Sequence, residues 1–89
     1  MSAPAEIQVD QLPRHCFGLI QRIDAPGDDA ERLMAMGICA GRTVEMIKSG
    51  DPLIIKVFAS RIGLSARLAE HVFVTPLQTR PPPAGGTEP

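Results

Sequence analysis

The chain has 89 residues, enough for one small domain, and sets 9 Lys plus Arg against 10 Asp plus Glu for a formal net charge of −1. That balance leaves no basic field to hold nucleic acid, and three phenylalanines (Phe17, Phe58, Phe73) with no Trp or Tyr supply little base stacking. The two cysteines, Cys16 and Cys39, fit small hydrophobes in a reducing compartment better than a disulfide scaffold.

No charged segment followed by an apolar one opens the sequence, so no secretory signal is expected. No apolar run approaches the roughly 20 residues that span a bilayer. The expectation is a cytoplasmic protein without direct membrane insertion.

Residues 1–9 read as an extended or disordered lead-in, and Pro13 biases Leu12 away from helix. Phe17 to Ile23 reads as the first strand. Ile20 and Ile23 are three apart and share a face only across a bulge, the device by which small barrels turn corners. Asp24 to Gly27 is a loop. Asp28, with Glu31 three residues on, then has the form of a capping box for a helix over about 28–36. Asp28, Asp29 and Glu31 also place negative charge at the positive end of that helix. Gly37 ends it by taking the left-handed conformation. Leu33 faces inward on either choice of stripe, while Met34 and Met36 compete for the outward position.

Thr43 to Lys48 is a β-rich run with Val44 and Met46 on one side. Ser49-Gly50-Asp51-Pro52 is a turn, and Leu53 to Phe58 continues as a strand, the two runs forming a hairpin. Arg61 to Leu64 is a further short strand, Ser65 caps a helical turn over 66–70, and Val72 to Val74 closes the set. From Pro76 onward proline and glycine argue against helix or sheet, so a disordered tail over 77–89 is expected. Residues 10–76 are then the domain, of which roughly 65–70 residues fold. Five short strands with a helix after the first predict a mainly β fold, a small closed barrel.

Leu12, Ile20 and Ile23, then Arg32-Leu33 and Met36-Gly37-Ile38, are followed by Gly41, Val44 and Gly50-Asp51-Pro52. Ile55, Val57, Arg61, Leu64, Ala69 and Val72 complete the series. In this order and spacing the set resembles the FeoA family, ferrous iron transport protein A, over about Leu12 to Val74. The resemblance implies an SH3-like β-barrel of about five strands with one short helix and a short C-terminal helical turn. It also implies a cytoplasmic accessory of ferrous iron uptake that acts on the cytosolic GTPase domain of a FeoB-like permease. The same domain ends repressors of the DtxR type, but no helix-turn-helix precedes it here, so a repressor is not expected. One departure falls on the first turn: the family usually has glycine where His15 stands, and Cys16 beside it is also unusual.

The candidate metal ligands are His15, Cys16, Cys39 and His71. None sits at a recognised ligand spacing, and adjacent His15 and Cys16 would point to opposite faces of a strand, so no specific metal site or other cofactor is expected. Ser60, Ser65 and His71 form no nucleophile–base–orienter set, and Gly85-Gly86 lacks the lysine and hydroxyl of a phosphate loop, so an enzyme is not expected. Arg61 or Arg42 offered to a partner's GTP site is a sharper idea, since arginine fingers speed hydrolysis by about 10³ to 10⁵. A solvated or locally paired arginine is the simpler reading of both.

If Leu53, Ile55 and Val57 fill the barrel, Ile54 and Phe58 lie outside it as an apolar patch broken by Lys56. Met34 is a soft side chain suited to the same role. These residues with Arg61 are the candidate partner surface, unless the helix or the C-terminal turn covers Ile54 and Phe58. Docking of polyproline in the ordinary SH3 manner needs aromatics that this chain lacks, and Pro81-Pro82-Pro83 reads as a spacer. The expected function is a non-enzymatic module that binds and modulates a FeoB-like permease. The alternatives are a stand-alone metal-binding or metal-sensing protein, possible weak divalent metal included, and a homo-oligomer formed through sheet edges or the Ile54 and Phe58 face.

Overall fold

The computed structural model describes residues 5–77. Strand β1 (Ile7–Gln8) runs into one turn of 3-10 helix (Val9–Gln11), and β2 (Phe17–Ile23) leads to helix α1 (Gly27–Ala35). Strands β3 (Thr43–Lys48), β4 (Leu53–Val57) and β5 (Ser60–Leu64) follow as a meander. Helix α2 (Ala66–Ala69) and strand β6 (Val72–Leu77) complete the chain. The strands form one antiparallel sheet in the order β1-β6-β2-β3-β4-β5. The sheet curls around a core of Leu12, Ile20, Val44, Met46, Leu53, Ile55, Leu64, Val72 and Val74, all at most 1% exposed. Leu33 from α1 and Leu68 and Ala69 from α2 plug it.

Six strands form rather than five. The sixth is β1, where Ile7 pairs with Val74 and Gln8 with Phe73. Two residues carry no periodicity, so only the tertiary pairing reveals them. The lead-in is also less passive than its sequence suggests, because Val9 is fully buried in the core. At the other end β6 continues through Pro76 and Leu77, against the expectation that Pro76 ends regular structure. Beyond Phe73 and Val74 the short β1 no longer flanks β6, leaving it an edge strand, where a missing N–H is tolerated. The expected tail beyond Leu77, with Pro81-Pro82-Pro83, lies outside the described residues.

The bulge expected in β2 is present: the β2–β6 register shifts between Ile20 and Arg22, which restores Ile23 to the inner face opposite Val72. The capping box is not formed. Pro26 stands at the N-cap position with no side-chain cap, and its carbonyl accepts from Ala30 N at 2.8 Å. The helix therefore starts at Gly27, two residues early for Asp28 to cap it. Asp28 and Asp29 remain in the first turn, where they favour the dipole. Its C-terminus behaves as read. Gly37 has φ +89°, Gly37 N donates to Met34 O at 2.9 Å, and Ile38 N donates to Leu33 O at 3.0 Å. That is a Schellman pair. Ser65 caps α2 by accepting from Leu68 N at 3.2 Å.

His15 has φ +70°. A histidine in the left-handed region costs about 1–2 kcal/mol relative to glycine's freedom there. The conformation is held by His15 N donating to Met46 O at 2.7 Å, while Met46 N donates to Cys16 O at 2.9 Å. The position where the family pattern has glycine is thus one where the backbone asks for it.

Candidate functional site

The pleat of β4 decides what faces outward. Leu53, Ile55 and Val57 are buried, so Ile54 and Lys56 point away from the core, both half-buried. Register then extends the outer face across the sheet. Glu45, Lys56 and Arg61 form one rung over β3, β4 and β5, and Lys48, Ile54 and Gly63 form the next. A Cβ built on Gly63 would lie 3.7 Å from Ile54 Cδ1, ordinary contact that confirms the shared face.

Phe58 is not on the strand with Ile54. Strand β4 ends at Val57, which pairs with Ser60 across a two-residue turn of Phe58 and Ala59. Phe58 has φ +57° and Ala59 does not share the positive φ. This is the pattern of a II′ turn, whose first central residue is usually glycine. The residue is 61% exposed, and its ring carries the Arg42 guanidinium 4.3 Å from the centroid. Arg42 Nε donates to Cys39 Sγ at 3.2 Å. Arg42 is thereby clamped between the α1–β3 loop and the β4–β5 turn. A sequence reading finds Phe58 and Arg42 separately and has no signal that they meet.

Met34 is 60% exposed, whereas Met36 packs against the core, which resolves the choice left open by periodicity. Met34 lies on α1, away from the β3–β5 rungs in sequence and on a different element. Arg61 is exposed on β5, opposite Lys56. Phe58 and Arg61 are therefore at the β4–β5 turn, with Ile54 on the same outer face as Arg61 but toward the other end of β4.

The four candidate metal ligands are not brought together. His15 and Cys16 precede β2 and bond to Met46, while His71 bonds to Asp24 beyond the other end of β2. That strand is seven residues, about 20 Å of extended chain. His71 Nδ1 lies 2.8 Å from Asp24 O, and a carbonyl only accepts, so Nδ1 carries the proton. Cys39 is half-buried beside Arg42. Among the described residues no group of three or more His, Cys, Asp and Glu is placed to hold a metal ion.

A small antiparallel sheet curled over one core, with a helix inserted between its second and third strands, is an SH3-like domain. The FeoA domain model matches residues 7–76, and the chain belongs to that family, which is associated with ferrous iron transport. FeoA from Stenotrophomonas maltophilia, solved with zinc, is 28% identical with a TM-score of 0.68, covering 76% of this chain and 88% of that one. It is described as a prokaryotic SH3-domain protein and a candidate activating factor of bacterial ferrous iron transport. A FeoA crystal structure described as an iron uptake regulatory protein superposes with TM-score 0.78 at 24% identity, covering 82% of this chain and all of that one. IdeR of T. acidophilum shares the fold at TM-score 0.77 and 19% identity; this chain corresponds to 36% of its length. No curated protein matches the sequence.

Proposed function

We propose that this protein is a non-catalytic accessory of ferrous iron uptake that binds the cytosolic GTPase domain of a FeoB-like permease and modulates its transport. The observation that carries the reading is Phe58. A phenylalanine at φ +57° with most of its surface in solvent is poorly explained by folding, since glycine suits the turn better and the core does not use the ring. Backbone strain of this kind gathers at functional positions. Exposed aromatics beside apolar and cationic neighbours are what protein interfaces select. Family membership supplies the transport context. The module acts in the cytoplasm in this reading, without inserting into the membrane.

The test is a calorimetric titration of the full chain against the purified GTPase domain of the permease from the same organism, with and without guanine nucleotide. Saturable binding is expected. Heat no greater than dilution in every nucleotide state rejects the reading. The metal-binding alternative is tested on the same protein by titrating Fe²⁺ or Zn²⁺ against the chain and against a His15→Ala, Cys16→Ala, Cys39→Ala, His71→Ala variant. Stoichiometric binding that the variant loses would replace the accessory reading with a metal-binding one.

A further inference from the structure

The near-zero net charge conceals a segregation. Arg42, Lys48, Lys56 and Arg61 all lie on or at the rim of the outer β3–β5 face, with Glu45 the one carboxylate in their rungs. Asp24, Asp28, Asp29 and Glu31 sit with Arg32 on the β2–α1 loop and α1, Asp51 lies in the β3–β4 turn with its carboxylate accepting from Ala66 N, and Glu70 follows α2. The salt bridges among the described residues use other cations, Arg22 with Glu6 and Asp24, and Arg67 with Asp29. The β3–β5 face is therefore a positive, partly apolar surface on a protein of net charge −1.

This face ends at an open edge. Strand β5 is last in the sheet order, and at five residues it is the longer of the two outer strands. The hairpin fixes which backbone groups point outward. In a two-residue turn the closing pair, Val57 with Ser60, exchanges both hydrogen bonds. Ile55 with Ile62 and Leu53 with Leu64 therefore do the same. Arg61 and Gly63 turn their N–H and C=O groups away from β4, toward solvent. The next strand position would place side chains directly opposite Arg61 and Gly63.

We propose that β5 accepts an extended acidic segment of a partner protein as an added strand, with a partner carboxylate opposite Arg61 and within reach of Lys56. The absence of a side chain at Gly63 leaves room for a neighbouring apolar residue of the segment to rest on Ile54. Charge selects the occupant. A second copy of this chain would bring its own Arg61 and Lys56 to the same face, adding like charge, whereas a segment bearing Asp or Glu neutralises it. Main-chain bonds to Arg61 and Gly63 give affinity and the carboxylate gives register. The inference rests on the accessory-module reading only for the statement that the ligand is a protein.

The test uses the ¹⁵N-labelled full chain and a capped octapeptide, Thr-Glu-Thr-Val-Thr-Glu-Thr-Val, which carries glutamate and valine in turn on one face of a strand, followed by backbone amide shifts. Shifts that saturate at Arg61, Gly63 and Lys56 are expected, weakening several-fold with added salt and with Arg61→Glu. Gly63→Pro should abolish them, because it removes an edge donor at a site where proline fits an open strand. Unchanged core amides verify that each variant is folded, and Arg61→Glu, fully on the surface, carries the test if Gly63→Pro unfolds. No shift on β5 at millimolar peptide overturns the inference, as does equal response to the lysine-for-glutamate peptide. Tighter binding of oligothymidylate to the same amides would make the face a polyanion site and overturn it too. Peptide binding at β5 supports the inference even where the permease domain fails to bind.

Discussion

Replacing Phe58 by glycine should leave the fold nearly intact and remove most partner affinity. Four contributions bear on stability. Relief of the left-handed backbone at φ +57° favours the variant by about 1–2 kcal/mol, and the extra unfolded-state freedom of glycine opposes it by about 0.5–1 kcal/mol. Loss of the Arg42 stack at 4.3 Å removes about 0.5–1 kcal/mol at an exposed site. With the residue 61% exposed, the covered two fifths is worth about 1 kcal/mol of burial. The sum lies between no change and a loss of about 2 kcal/mol, against about 3–5 kcal/mol for truncating a core phenylalanine. Phe58→Ala keeps the strain while losing the same ring, so it should be less stable than Phe58→Gly by roughly 0.5–1 kcal/mol. Urea unfolding followed by circular dichroism reads all three proteins, and titration against the permease GTPase domain reads affinity. A central aromatic anchor is worth at least about 2 kcal/mol, a drop of roughly thirtyfold in affinity. A stability loss of about 3 kcal/mol or more in the glycine variant would show that the ring is structural. Unchanged affinity in a folded variant would remove Phe58 from the interface.

His15→Gly should stabilise the protein by about 0.5–1 kcal/mol, since glycine takes φ +70° without the Cβ clash; no gain in the urea midpoint refutes the turn assignment. Gly37→Ala and Gly18→Ala should both destabilise, for different reasons. At Gly37 a Cβ meets nothing within 4 Å, so the loss of about 1–2 kcal/mol comes from φ +89°, and Gly37→Asn should be milder than alanine. At Gly18 a Cβ would stand 3.0 Å from Val74 Cγ2 and 3.3 Å from Leu12 Cδ2, and overpacking of this kind costs about 1–3 kcal/mol. Gly18→Ala combined with Val74→Ala should recover part of that loss; simple additivity of the two would contradict the steric explanation. Ser65→Ala should cost about 1 kcal/mol by freeing Leu68 N, read as a fall in melting temperature of roughly 4–8 °C.

Local chemistry that repeats or punctuates was legible in the sequence. The alternation in β4 placed Leu53, Ile55 and Val57 in the core and Ile54 outside it. The three-residue spacing of Ile20 and Ile23 required the bulge that β2 contains, and Gly37 stopped α1 where its φ demands glycine. Ser65 announced its cap. These features depend on side-chain period, on φ, or on a donor and acceptor a few residues apart. The chain carries that information locally. What sequence left open or misplaced depended on partners far along the chain. Two residues of β1 have no pattern and become a strand only because β6 offers an edge. Pro26 rather than Asp28 precedes the helix, and its carbonyl takes the first helical bond, from Ala30 N. Met34 and Met36 were equivalent on the helical wheel until packing against the sheet buried one of them. The candidate surface followed the same division. Ile54, Phe58 and Arg61 could be named individually, but the stack of Phe58 on Arg42 depends on tertiary register. So does the gathering of Lys48, Lys56 and Arg61 beside an open edge, which joins residues from three strands. Sequence determined which residues could face outward, because pleat and φ are local. Tertiary structure decided which of them stand together, because cross-strand register is set by burying the whole core at once.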